Sequence, residues 1–423
     1  MRSLFVIWFI IPFLYGQTIK DCKRRFDSYL NYKGSISHFV RFEKETIVLL
    51  NRRGEEDIRI FQKELPMLAE LLEHYSLKET ELFFAQKKNK KFSKRQRDSV
   101  RIYLEHPKKE HLKNKPLRGK KIAIDAGHLA ASFTEAMHEQ KFLYFVKDSI
   151  LHPYDTVKLY EAELTYKTSL ILKNMIEEEG GEVFLTRPVA GHTAFGCSYQ
   201  TWYKQHRQRV LDSLLNEKKM EPAEHKKLLK LDDYRFFWDF FRDFELRQRA
   251  KLINDYKPDA TLIVHYNVDE KNIPWKKTSP NNFTMAFIGG CFTPELLEKP
   301  RAKYHLLRLM ITDQLERSEK LASLTVAHFN EYLKVPTACV ADADYLTSNC
   351  ISTATHGVYS RQLILCNIIN SALVYGESLY QDNAEECVKL MDNSQNYFGI
   401  QTNERVFLVA KSYMDALRHF FGK

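Results

Sequence analysis

Past residue 16 the chain has no apolar run long enough to cross a bilayer, and it lacks several familiar marks of chemistry. Its cysteines (Cys22, Cys197, Cys291, Cys339, Cys350, Cys366, Cys387) are scattered with no CxxC or CxxH spacing, which argues against a structural zinc ribbon. The count is odd, so at least one thiol is unpaired, and spacing alone does not give a connectivity. No Ser-His-Asp order, phosphate loop or Gly-rich nucleotide fingerprint is present. Much of the +10 formal charge sits between Lys87 and Lys121, but that run lacks the regular aromatic interleaving of a nucleic-acid surface. It reads as a solvated linker, with attraction to an anionic polymer or membrane surface as the functional alternative.

What is present suffices for a large core: 423 residues, 44% apolar and 13% aromatic. The first residues, MRSLFVIWFIIPFLYGQ, place one Arg ahead of about a dozen mostly apolar residues and then small or polar ones, the layout of a secretory signal peptide cleaved after Gly16. The run is shorter than the roughly 20 residues a spanning helix needs, and Pro12 interrupts it. Export to the periplasm or cell envelope is therefore expected, with no integral membrane span after cleavage.

Residues 17–86 read as a small separate domain. SHFVRFEKETIVLLNRRGEEDIRIF suggests two or three short strands around a turn at Arg53 and Gly54, and LPMLAELLEHYSL switches to helical spacing. A basic linker, 87–118, follows. From Gly119 the elements alternate: strand 122–126, helix 161–179, strand 182–186, helix 244–256, strand 260–265. The pattern predicts an α/β fold, a mostly parallel twisted sheet with helices on both faces and helical insertions, beside a small mixed α/β or β-rich N-terminal domain.

His128 ends the first of these strands, Glu161 opens the first long helix, and His265 ends the strand DATLIVH. In an open α/β sheet, ligands bind outside the carboxyl ends of the strands. Two imidazoles and a carboxylate converging there can form a three-ligand zinc site that leaves the fourth position open. Taken singly, each has an ordinary explanation, such as a Glu that merely complements a helix dipole.

The flanking residues fall into four blocks. IAIDAGH (122–128) resembles the first signature of the zinc-dependent N-acetylmuramoyl-L-alanine amidases, catalytic domains that trim bacterial peptidoglycan. EAELTYKTSLILKNMIEEEGGEVFLTR, from Glu161 to Arg187, resembles the second block, with a ligand Glu, an amphipathic helix and a strand finishing in Leu-Thr-Arg. RAKLIND, from Arg249, and DATLIVHYN, from Asp259, resemble the third, and ALVYGESLYQDNAEE, from Ala372, the fourth. In the fourth, Glu377, Tyr380, Asn383 and Glu386 keep the family's spacings. The resemblance covers 119–423, the catalytic region, but not the N-terminal residues.

By that resemblance one Zn2+ per chain is held by His128, Glu161 and His265, with Glu163 a rival for the second position. Glu377 is the catalytic carboxylate, and Asp125, Arg249, Asn267 and His356 are candidates to contact substrate or orient ligands. The implied activity is hydrolysis of the amide between N-acetylmuramic acid and L-alanine, with metal-bound water as nucleophile and Glu377 as general base and then acid. The competing reading of Glu377 is a structural pair with Arg361 or Lys389. Two other functions remain open: an inactive, amidase-like peptidoglycan-binding regulator, and a zinc peptidase or deacetylase on another envelope polymer.

The chain departs from the family at several points. Leu129 and Ala130 replace a usual glycine pair after the first ligand, so a side chain can enter the cleft. Gly376 stands where a branched residue is usual. Insertions at 131–158, 188–245 and 270–350 leave near the strand ends that carry the site. In the family a helix near the zinc can block the cleft until an activator protein moves it; the 188–245 insertion is the candidate here, while FFWDFF within it equally reads as a helix's core-facing stripe. The N-terminal domain is read as an envelope-targeting module.

Overall fold

The computed structural model describes residues 18–74, positions 77, 80, 81 and 84, and residues 116–146, 154–272 and 277–422. The signal peptide expected at 1–16 and all of the basic linker before residue 116 lie outside the described residues, as do 147–153 and 273–276 of the insertions. Among the described residues, no helix is long and apolar enough to cross a membrane.

The chain divides into two compact units, Met1–His106 with Phe292–Asp313, and Pro107–Cys291 with Gln314–Lys423. In the first, three antiparallel strands, Val40–Phe42, Thr46–Leu50 and Glu56–Phe61, form a meander, followed by a helix at Leu65–His74. The turn expected at Arg53 and Gly54 is built by Asn51, whose Oδ1 accepts from the amides of Arg53 and Glu55 at 2.9 and 3.0 Å. Phe292–Asp313, inside the stretch read from sequence as a third insertion, belongs to this unit. The buried Arg25 guanidinium donates to the carbonyls of Met310 and Ile311 at the end of helix Pro300–Ile311 (3.4 and 3.2 Å), oxygens that have no partner within the helix.

The second unit holds seven strands: β1 (Lys121–Ala126), β2 (Glu182–Leu185), β3 (Ala260–Asn267), β4 (Met285–Ile288), β5 (Cys350–Ser352), β6 (Val358–Arg361) and β7 (Ala372–Tyr380). Their spatial order is β5-β6-β4-β7-β3-β1-β2. β7, β3, β1 and β2 run parallel, whereas β4 pairs antiparallel with β7 and parallel with β6. The helices that position or cover the sheet are α1 (Phe133–Glu139), α2 (Glu161–Glu178), α3 (Arg242–Tyr256), α4 (Gln314–Leu333), α5 (Ile364–Ile368), α6 (Ala384–Met391) and α7 (Glu404–Phe421). On one face α2, α4 and α7 pack together. On the other, Ala250 and Ile253 of α3 and Leu365 and Cys366 of α5 bury Ala123, Ile263 and Leu373. Cover on both faces explains why β3 is buried from Ala260 through Tyr266 with no polar alternation. The mostly parallel α/β sheet expected from the alternating elements is thus the fold.

Gly376 is explained by this packing. A Cβ there would lie 2.2 Å from the Tyr413 hydroxyl oxygen, which itself sits 3.2 Å from the Ile263 carbonyl and 3.3 Å from that of Gly376. The room a branched side chain would need is filled by a tyrosine from α7.

Candidate metal centre

Three elements deliver His128, Glu161 and His265 to one point. His128 stands two residues beyond β1, Glu161 is the first residue of α2, and His265 lies in β3. Their ligand atoms all fall within 4.8 Å of one another. Glu161 bridges the imidazoles: Oε2 is 2.9 Å from His128 Nε2 and Oε1 is 2.8 Å from His265 Nδ1, with the Tyr266 amide donating to Oε1 at 3.1 Å. The carboxylate is buried at the start of a helix, where the dipole favours negative charge.

Burial alone would raise the Glu161 carboxyl, but the two histidines outweigh it and hold it well below the usual range. Burial lowers the His128 imidazole, against the pull of Glu161, and so favours the neutral form that ligates a metal. The donor set, one carboxylate between two imidazoles, matches zinc in both ligand type and number. Glu163 does not join it, because its carboxylate turns outward to Lys167 at 2.8 Å.

The backbone around His128 is unusual. His128 has φ 62°, in the left-handed region that non-glycine residues seldom adopt. The preceding Gly127 has no room for a side chain, since a Cβ would lie 2.4 Å from His265 Cε1. Several side chains hold this loop. Arg249, on α3 and sealed in the core, donates to Asp125 Oδ2 at 3.2 Å, to the Ala126 carbonyl at 3.0 Å and to Glu245 at 2.7 Å. Arg187 also donates to the Ala126 carbonyl, and Thr186 to Asp125 Oδ1. Thr165 Oγ1 donates to the Gly127 carbonyl at 2.7 Å. Beyond His128, the buried Glu139 of α1 accepts from the amides of Leu129 and Ala130. Asp125 and Arg249, candidates for substrate contact or ligand orientation, are placed by these bonds as supports of the loop.

Glu377 occupies the neighbouring strand, in register with His265. Burial pushes its carboxyl up to about 7, with His265 opposing and Glu161 adding to the rise. Its Oε2 is buried with no hydrogen-bond partner among the described residues, a state that calls for a reason in a folded protein. The two cations that could have made it structural are engaged elsewhere. Arg361 lies over the rings of Phe287 and Tyr345 (4.9 and 4.6 Å), and Lys389 faces Glu385 and Glu386 (3.6 and 3.7 Å). The residues that share Glu377's block have scaffold contacts: Tyr380 is buried against Phe283, Asn383 caps α6, and Glu386 pairs with Arg405 at 2.7 Å.

Asn267 donates to the Tyr345 hydroxyl at 3.0 Å. His356 is exposed, just ahead of β6, with its Nε2 3.4 Å from Cys339 Sγ. Neither belongs to the three-residue cluster. Sequence reading missed Thr165, Thr186, Arg187 and Glu139 as loop supports. The signal for the middle pair was present in the Leu-Thr-Arg strand end, whereas Glu139 had none because it lies in an insertion. Tyr375 was also missed; its ring stacks on His265 at 4.2 Å and 9°.

The insertion at 188–245 is a run of short helices with its own aromatic core. Tyr199, Trp202, Phe236, Phe237 and Phe241 bury one another, and a π-helical turn at Phe237–Phe241 carries FFWDFF into that cluster. Leu129 is the member contributed by the His128 loop. The side chain that replaces the usual glycine therefore enters the aromatic cluster.

Comparison with protein-family models and with curated protein sequences gives no match. Solved structures do match over about seven tenths of the chain. The CwlD amidase from Clostridioides difficile, solved in complex with the GerS lipoprotein, is 14% identical, aligned over 71% of this chain and 98% of that one, with a TM-score of 0.38. The catalytic domain of CwlV, an N-acetylmuramoyl-L-alanine amidase from Bacillus (Paenibacillus) polymyxa var. colistinus, is 13% identical over 71% and 97%, with a TM-score of 0.36. The amidase Ami1 from Mycobacterium abscessus is 12% identical over 72% and 99%, with a TM-score of 0.37. Likenesses at these scores leave the function to be argued from the side chains themselves.

Proposed function

We propose that this protein is an exported, zinc-dependent hydrolase that cuts the amide between N-acetylmuramic acid and L-alanine in peptidoglycan. The observation that carries the reading is the pairing of the His128, Glu161 and His265 cluster with Glu377 on the adjoining strand, whose Oε2 is buried and has no hydrogen-bond partner among the described residues. The four ordered sequence blocks support the choice of substrate.

An amide is a weak electrophile with a poor leaving group. Zinc held by His128, Glu161 and His265 would supply Lewis acidity and lower the pKa of water towards about 7. The chain's own residues do the rest. Glu377 Oε2 accepts a proton from the attacking water while the water's oxygen bonds to the carbonyl carbon. As the C–N bond breaks, the same oxygen gives that proton to the departing L-alanine amine. A carboxyl near 7 suits both halves of that exchange at neutral pH. The His128 loop, anchored by Asp125, Arg249 and Arg187, keeps the first ligand in place without rearrangement.

The test is mass spectrometry of products after incubating the zinc-loaded protein, residues 17–423, with peptidoglycan, beside Glu377→Gln and a chelated sample. Stem peptides beginning at L-alanine, absent from both controls, are expected. Release that survives chelation or loss of Glu377 would overturn the mechanism. Saturable peptidoglycan binding without any cleavage would favour a binding regulator, and release of acetate or of shorter peptides would favour a deacetylase or peptidase.

A further inference from the structure

Glu377 stands directly opposite His265 in the pairing of β7 with β3, so Tyr375, two residues earlier on β7, is the diagonal neighbour of His265 on the same sheet face. Its ring lies parallel to the imidazole, with centroids 4.2 Å apart and 9° between the planes. Phe287, opposite Tyr375 on β4, backs the tyrosine ring at 6.0 Å and 62°.

The other side of the imidazole is closed as well. A Cβ on Gly127 would lie 2.4 Å from Cε1 and 2.6 Å from each ring nitrogen of His265, distances that place it over the face of the ring. β7 and β1 flank β3 on opposite sides, so the imidazole is held between the Tyr375 ring and the Gly127 backbone.

A metal-ligating histidine ordinarily donates its second ring N–H to a carboxylate or carbonyl, which fixes the ring's orientation. His265 turns Nδ1 to Glu161, but its Nε2 has no hydrogen-bond partner among the described residues. The torsion that turns an imidazole about its Cβ–Cγ bond has a broad, shallow preference, so the plane must be held by packing.

We propose that Tyr375 is the positioning residue for His265: its ring fixes the plane of the imidazole and so aims the nitrogen beside Glu161 at the metal position before a metal binds. The inference rests on the metal site of the hydrolase reading and is independent of the substrate. A stack of this kind is worth a factor of about 3–10 in the population of the aligned ring. Apparent metal affinity falls in proportion to that population when the stack is lost.

The test is the zinc affinity of the metal-free, full-length protein, read by competition with a chromophoric chelator for the parent, Tyr375→Phe and Tyr375→Leu. Tyr375→Leu should bind zinc about 3- to 10-fold more weakly, and Tyr375→Phe, which keeps the ring, within about twofold of the parent. The visible bands of the cobalt(II)-loaded proteins at saturation give a second readout: Tyr375→Phe should reproduce the parent spectrum and Tyr375→Leu should shift it. Thermal unfolding without metal checks that each variant is folded, and Tyr375→Met, whose flexible side chain fills irregular gaps, takes the place of Tyr375→Leu where leucine does not fold. A lower unfolding temperature with both metal readouts unchanged would mean an ordinary packing role and overturn the proposal. Equal weakening in Tyr375→Phe would overturn it too, by assigning the effect to the hydroxyl. A parent that binds no zinc would remove this inference together with the metal site beneath it, whereas failure to cleave peptidoglycan by a parent that does bind zinc would count against the hydrolase reading alone.

Discussion

The Glu139 carboxylate accepts from the Leu129 amide through both oxygens, each at 3.0 Å, and thereby holds the backbone immediately after His128. His128 itself sits at φ 62°, a conformation that persists only when its surroundings enforce it. Glu139→Ala should therefore weaken zinc binding by roughly 10- to 100-fold, the range seen when supports outside the ligand set are lost. Equilibrium dialysis against a zinc buffer would measure this, and an unchanged affinity would show that the loop is held without Glu139.

Glu161 and Glu163 lie two residues apart, yet only Glu161 faces both histidines, while Glu163 pairs with Lys167. Glu161→Ala should lose stoichiometric zinc, as should His128→Ala and His265→Ala. Glu163→Ala should keep full occupancy and alter stability by less than about 1 kcal/mol, the ordinary range for an exposed ion pair. Metal analysis after gel filtration separates the two outcomes.

As the proposed base, Glu377 would link activity to pH. As the base it must be ionised, so turnover should fall as pH drops below its carboxyl value, and Glu377→Gln should lower kcat by about 10²–10⁴-fold with zinc content intact. The stability effect runs the other way. The folded-state value is raised from 4.5 to about 7, so between these the folded chain holds a proton that the unfolded chain has released. That stabilisation is complete below about 4.5 and is lost as pH rises through about 7. In chelator, Glu377→Gln should gain thermal stability over the parent as pH goes from 5 to 8, and thermal scans at the two values would check it.

Arg249 holds Asp125 and Glu245 together in the core. Arg249→Met leaves two buried carboxylates without the cation that pairs them, at a cost of about 3–5 kcal/mol in denaturant unfolding. A shift below 1 kcal/mol would mean that Arg187, which burial and the nearby Arg249 pull down to about 10, takes over that role.

Local patterns made much of this legible. β1, β3, α2 and α3 follow the expected spans within two residues, because their burial is one-dimensional: apolar runs for strands covered on both faces, helical spacing for the rest. The convergence of His128, Glu161 and His265 was legible for the same reason, as strand and helix ends in a parallel sheet point to one side. Leu129 could not be assigned from its neighbours, because whether its side chain filled the cleft or left it depended on aromatic rings at 199–241. The same holds for Gly376, whose missing side chain answers to Tyr413, and for Glu139, which no motif marks.

The sequence by itself determined the order of the elements and the residue types at their ends, since periodicity and end positions are properties of a chain read locally. Only the tertiary structure decided that Glu377 Oε2 is buried without a hydrogen-bond partner among the described residues, that Leu129 belongs to the insertion's aromatic core, and that Phe292–Asp313 folds with the N-terminal unit. Each depends on contacts between segments far apart in the chain, where packing volume and competing hydrogen-bond partners choose among outcomes that local pattern leaves equal.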